Sequence, residues 1–136
     1  MQKTYQILGT TADVKLKIEA ESLEELFESA ALGMMKILKP EIKGDEVTRK
    51  KIEIKSPNIN SLLIDFLNEI LYRIEVNKEI YKDFKVEIKD NKELTCQAKA
   101  LPFQKLGLEI KAATYSDFKI EKDKKGKYKS EVVFDI

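Results

Sequence analysis

Residues Asn60–Glu75, NSLLIDFLNEILYRIE, carry apolar side chains at helical spacing over four turns. Leu63, Phe66, Leu67, Ile70, Leu71 and Ile74 advance by three, one, three, one and three, so they line one side of a 3.6-residue helix. Such a stripe has to be buried. Burying six side chains of this size stabilises by roughly 1.5–3 kcal/mol each before conformational entropy is set against it. Asp65, Asn68, Glu69 and Arg73 fall on other faces, and Asn60 or Ser61 is expected to cap the first turn by accepting from a backbone N–H. The pattern predicts a core helix laid on a sheet.

Upstream, ESLEELFESAALGMMKIL predicts a second amphipathic helix, with Ser22 and Glu25 three residues apart as a capping box. Its apolar side holds Leu23, Leu26, Phe27, Ala30, Ala31, Met34, Ile37 and Leu38, and it stops before Pro40. The small Ala30 and Ala31 allow close approach to a neighbour, for which the Asn60 helix is the natural candidate. The remaining chain alternates with period two. Tyr5 and Ile7, a Gly-Thr-Thr turn, then Val14, Leu16, Ile18 and Ala20 give two strands. Asp13 starts the second of these, with the parity that faces away from the helices. Residues 45–56 give one strand, and Phe84, Val86 and Ile88 face Leu94, Cys96 and Ala98 in a hairpin turning at Asp90-Asn91. LPFQKLGLE, with Pro102 and Gly107, reads as a loop, EIKAATYSDFKIEKD as extended chain, and Asp123–Lys127 as the turn of a last hairpin carrying Tyr128, Val132 and Phe134. The order ββαβαββββ implies one α+β domain over residues 1–136: a two-layer sandwich of an antiparallel or mixed sheet with both helices on one face.

Composition narrows the chemistry. Among 136 residues, 25 are basic and 24 acidic, a net charge of +1 that excludes the global basic excess of a stand-alone nucleic-acid binder but not a local patch. The Lys-rich KDKKGKYK reads as a solvated turn, with contact to RNA phosphate as the alternative. Histidine is absent, which removes His-based acid–base catalysis, Ser-His-Asp triads and His-ligated zinc. The single cysteine, Cys96, sits among alternating apolar residues and reads as a small core side chain. No run spans a bilayer and the first residues lack a signal-peptide core, so the expectation is a cytoplasmic protein with no membrane contact.

Three acidic positions stand out: Asp13, Glu21 and Asp135. Asp135 is followed by Ile136, so a carboxylate, the last peptide carbonyl and the terminal carboxylate lie within one residue. Hard oxygens in that density suit Ca²⁺ or Mg²⁺.

The ordered set LGTTADVKLKIEAESLEELFESAALGMMKIL, LLIDFLNEILYRIE, GLEIKAATYS and VVFDI resembles the archease family across nearly the whole chain. That resemblance implies a small protein cofactor, not itself an enzyme, of the GTP-dependent RNA-splicing ligase that joins tRNA exon halves. It would promote ligase guanylylation and repeated turnover, with tRNA met indirectly through the ligase. The family's His-Thr-Ala-Asp motif stands here as Thr10-Thr11-Ala12-Asp13, keeping the metal-ligand Asp and losing the His. Carried over in this way, Asp13, Asp135 and Ile136 would hold a divalent cation, calcium first, with magnesium or manganese as alternatives. Glu21 and Lys111 would serve ligase activation; Glu21 replaces the usual Asp before the first helix, and Lys111 matches the Lys of the family's GTEVKAVTY stretch. The loop before Lys111 is shorter here than in the family.

Two other classes compete. A metal-dependent hydrolase would use the Asp13 and Asp135 carboxylates, but it lacks further clustered acids for a second metal. A chaperone-like module would bind RNA-processing enzymes, a tRNA methyltransferase among them.

Overall fold

The computed structural model describes residues 4–9, 12–115 and 119–136. Among the described residues, nine strands and two helices follow one another as β1 (Thr4–Gly9), β2 (Asp13–Ala20), α1 (Leu23–Leu38), β3 (Pro40–Ile42), β4 (Thr48–Lys55), α2 (Ile59–Asn77), β5 (Glu79–Lys89), β6 (Glu93–Leu106), β7 (Ala112–Tyr115), β8 (Glu121–Lys122) and β9 (Tyr128–Asp135). The class is α+β and every pairing is antiparallel. The strands divide between two sheets instead of forming one. The first has the order β1-β2-β9-β7, with β8 also on β9; in the second, β6 pairs with β3 and β4 along one edge and β5 along the other. The extended stretch expected after Glu109 is two short strands, and Ser116–Phe118 between them lie outside the described residues.

Both helices begin on side-chain caps. Ser22 Oγ accepts from the Glu25 N–H at 3.1 Å, as the capping box requires. On α2 the cap is Asn58, whose Oδ1 accepts from Ser61 N–H at 2.9 Å, and not Asn60 or Ser61. Asn60 is already inside the helix, where its Oδ1 accepts from Ile120 N–H at 3.0 Å. Each helix ends on a lysine, Lys39 and Lys78, in the left-handed conformation, with its N–H closing the last turn on Met35 and Ile74.

One continuous core unites the two sheets and the helices. It takes Leu16 and Phe134 from the first sheet, Ile52 and Cys96 from the second, Phe27 and Met34 from α1, and Leu63, Phe66 and Ile70 from α2. The principal neighbours of α1 are β2 and β5, so its small residues serve contact with the sheets; α1 and α2 meet where the Phe27 and Phe66 rings lie 6.1 Å apart at centroid. The approach to β2 is close: a Cβ on Gly33 would stand 2.7 Å from Leu16 Cδ1. Cys96 is fully buried, and burial pushes its thiol up to about 12, which makes it a core side chain and not a nucleophile.

Residues 101–106 are strand, not loop. β6 runs on through Pro102 because that residue falls where β4 has ended at Ala100 and β3 has not begun until Phe103. Its missing N–H is not needed there, and its carbonyl accepts from Lys43 N–H at 3.0 Å. Gly107 then passes against the end of α1, donating to the Leu38 and Lys39 carbonyls at 2.9 and 3.0 Å, where an added Cβ would meet Lys39 Cβ at 2.9 Å.

The edges of both sheets are held by helix side chains. Glu28 of α1 accepts from Val86 N–H of β5 at 2.9 Å. Asn68 of α2 grips both main-chain groups of Ala113 in β7, accepting from its N–H at 2.8 Å and donating to its carbonyl at 3.1 Å.

Candidate functional site

β9 lies between β2 and β7, and this placement brings the expected residues to one end of the first sheet. Asp13 is the register partner of Asp135 across β2 and β9. Ile136 N–H donates to the Ala12 carbonyl at 3.4 Å, so Ala12 and Ile136 form a hydrogen-bonded pair. Asp13 and Asp135, one step along, are therefore a non-hydrogen-bonded pair, with Cα atoms about 4.5 Å apart and side chains on the same face. On the other flank Asp135 pairs with Ala112, and its carbonyl accepts from Lys111 N–H at 2.7 Å. Asp13 and Ile136 are half-buried; Asp135 and Lys111 are exposed.

Charge along this face makes the carboxylate pair distinctive. Further down the ladder, opposite signs meet: Lys15 and Lys17 reach Glu131 at 3.6 and 3.8 Å, and Lys127 and Lys129 reach Glu19 at 3.3 and 4.0 Å. At the end, two carboxylates face each other directly, an arrangement that destabilises a sheet by about 0.2–1 kcal/mol relative to a neutral pair. A cation held between them would reverse that sign. The donor set of two carboxylates and the Ile136 backbone oxygen contains only hard oxygens and fits Ca²⁺, Mg²⁺ or Mn²⁺ in kind. Among the described residues, no three His, Cys, Asp or Glu side chains converge, so such an ion would complete its shell with backbone oxygens and water.

Glu21 stands apart from this group. Asp13 opens β2 and Ala20 closes it, which puts Glu21 about 26 Å of extended strand away, beside the cap of α1. Thr10 and Thr11 lie outside the described residues. Asp13, Lys111, Asp135 and Ile136 are brought together, and Glu21 is not.

In the sequence Asn68 is a polar residue off the apolar stripe, with no motif that marks it as functional. By fixing Ala113 it fixes β7, and with it Lys111, which lies immediately before that strand. At the other end of β7, the Tyr115 phenol is raised well above the usual range, chiefly by burial and further by the nearby Asp65 charge. The one available signal for Asn68 was its position at the border of the stripe, between Leu67 and Ile70, where a side chain can reach both helix flank and sheet edge.

Among the described residues, no helix is long and apolar enough to cross a membrane. Residues 5–136 match the Archease protein family. The protein archease of Methanosarcina barkeri is 40% identical over 147 residues, covering 98% of this chain and 97% of that protein. The solution structure of Methanobacterium thermoautotrophicum protein 1598 superposes with a TM-score of 0.67 at 26% identity, covering 97% of this chain and 98% of that one. The same fold is found in a Thermotoga maritima crystal structure described as an archease and possible chaperone, with a TM-score of 0.69 at 22% identity and full coverage of both chains. With a family match over nearly its whole length and a relative at this identity, the chain belongs to the archease family.

Proposed function

We propose that this protein activates the GTP-dependent RNA-splicing ligase in the cytoplasm, promoting its guanylylation and multiple turnover in tRNA splicing. The observation that carries the reading is the register of Asp13 against Asp135, with Lys111 tied to the Asp135 carbonyl at 2.7 Å. Asp13, Asp135 and the Ile136 backbone oxygen would hold a divalent cation, calcium first. When bound, the ion supplies the positive charge that draws the two carboxylates together. The protein has no histidine and its one thiol is buried, so neither an imidazole base nor a cysteine nucleophile figures in this reading. Its contribution is position and field: a rigid, charged strand end docked on the ligase lowers the guanylylation barrier by orienting and stabilising groups the ligase itself supplies. The exposed Lys111 ammonium suits an anionic group of the ligase or its nucleotide.

The test is transfer of labelled GMP to purified ligase with and without this protein. Asp135→Ala is expected to lower the stimulation at least tenfold while leaving the melting temperature within a few degrees of wild type. Stimulation equal to wild type, or loss of stimulation matched by loss of the fold, would overturn the assignment. The double variant Asp13→Ala/Asp135→Ala should be little worse than either single one, because the two residues act as a unit.

A further inference from the structure

We propose that the outer face of the second sheet binds the phosphate backbone of single-stranded RNA. Three cations stand in one cross-strand row, Lys82 of β5 opposite Lys99 of β6 and Lys99 opposite Arg49 of β4. The next row on the same face is Lys85, Gln97 and Lys51. Like charges directly opposite one another destabilise a sheet, and here the chain, with a net charge of only +1, concentrates five cations on six neighbouring positions. Three carboxylates border them, Asp83, Glu53 and the exposed Glu87 of β5, which lies two residues from Lys85 on the same face. Asp83, in the bulge of β5 with φ 55°, reaches Lys99 at 3.3 Å, and Glu53 reaches Lys51 at 3.3 Å. Among the described residues Arg49, Lys82 and Lys85 have no carboxylate partner, and all three are exposed.

The layout selects the partner. Cations two residues apart on a strand are about 6.7 Å apart and those on neighbouring strands about 4.8 Å, a lattice on which successive phosphates of an extended strand can each find a positive charge. The two cationic rows hold no aromatic or large apolar side chain, and Ile80 and Leu101, which form the next row on the same parity, are buried and offer no anchor. A protein partner would need such anchors, and lysine is depleted where proteins meet. Without a stacking platform, the contact reads phosphates and not bases, so binding is indifferent to sequence and steep in salt. The choice of RNA among nucleic acids rests on the ligase reading. The surface itself is a different one, since Asp13 and Asp135 belong to the first sheet.

Fluorescence anisotropy of the full chain with a labelled mixed-sequence RNA of about 20 nucleotides, titrated at about 50 mM salt and upward, tests this. Arg49→Ala/Lys85→Ala/Lys99→Ala should weaken binding at least tenfold and reduce the slope of log affinity against log salt by about 2, since each lost contact to a single strand removes about 0.7. The charge-preserving Arg49→Lys/Lys85→Arg should bind as wild type does, which separates charge from any disturbance of the fold. Lys127→Ala/Lys129→Ala on the first sheet should also bind as wild type. Asp135→Ala should keep RNA binding while losing ligase stimulation, so the two proposals fail separately. Undiminished binding by the triple variant, no binding by wild type, or tighter capture of phosphatidylserine vesicles or polyglutamate than of RNA by this face would overturn the proposal.

Discussion

Replacing Asn68 by Ala removes both hydrogen bonds that hold the outer edge of β7. Each such bond contributes about 0.5–1.5 kcal/mol, and leaving the N–H and carbonyl of the buried Ala113 without partners adds a desolvation cost that water entering the half-buried gap partly offsets. The expected loss is about 2–3 kcal/mol. For a chain of 136 residues the unfolding entropy near the midpoint is about 0.29 kcal/mol/K, so the melting temperature should fall by about 7–10 °C. Urea unfolding gives the free energy, and amide hydrogen exchange at Ala113 shows whether the loss is local. Asn68→Asp supplies an internal check: its carboxylate still accepts from the Ala113 N–H but repels the carbonyl, and protonation restores a donor. Its deficit relative to wild type should therefore narrow as pH falls through the carboxylate range. A variant Asn68→Ala within about 0.5 kcal/mol of wild type, with Ala113 still protected, would refute the reasoning.

Three further outcomes are expected. Asp135→Asn removes like-charge repulsion across the β2–β9 register, so in chelator it should be about 0.2–1 kcal/mol more stable than wild type, while calcium should raise its melting temperature less than that of wild type; an equal calcium shift in both proteins would count against the site. Gly33→Ala places a methyl group 2.7 Å from a fully buried Leu16 and should cost about 1–3 kcal/mol in chemical denaturation, whereas a neutral result would mean that α1 can retreat from β2. Because burial raises the Cys96 thiol from 9.0 to about 12, the folded protein holds its proton more tightly than the unfolded chain does, so the stabilisation is complete below pH 9 and is lost between about 9 and 12. Cys96→Ala should show a flatter stability profile over that window, and parallel profiles would contradict the assignment.

The helices and the turns were legible because their signals are local. Ser22 caps α1 within three residues, and the Asp123 carboxylate holds the last turn by accepting from Lys125 and Lys127 N–H at 2.9 Å each, bonds that keep it below the usual carboxylate range. What failed depended on distant partners. Nothing near Pro102 says that β4 and β3 leave a gap at it while Glu79 of β5 pairs with it on the other edge, and nothing near Gly107 says that α1 ends against it. Asn58, Asn60 and Ser61 are all competent caps, and the choice fell to Asn58 because Asn60 is engaged by Ile120. Period-two alternation marks a buried face without saying which sheet owns it, so two sheets read as one. The approach of Asp13 to Asp135 came from resemblance and from parity, and strand pairing brings them opposite each other. The role of Glu21 came from the resemblance, and the length of β2 keeps it away from Asp13 and Asp135.

The position of β9 also sets a schedule. Its neighbours β2 and β7 cannot be joined until Tyr128–Asp135 has left the ribosome, and β2 is complete roughly 115 residues earlier. At about 5–20 residues per second, β2 waits some 6–23 s with one edge open to any other strand in reach. The charges on its outward positions, Lys15, Lys17 and Glu19, then act first as guards of a growing polypeptide and only later as rungs of a finished ladder.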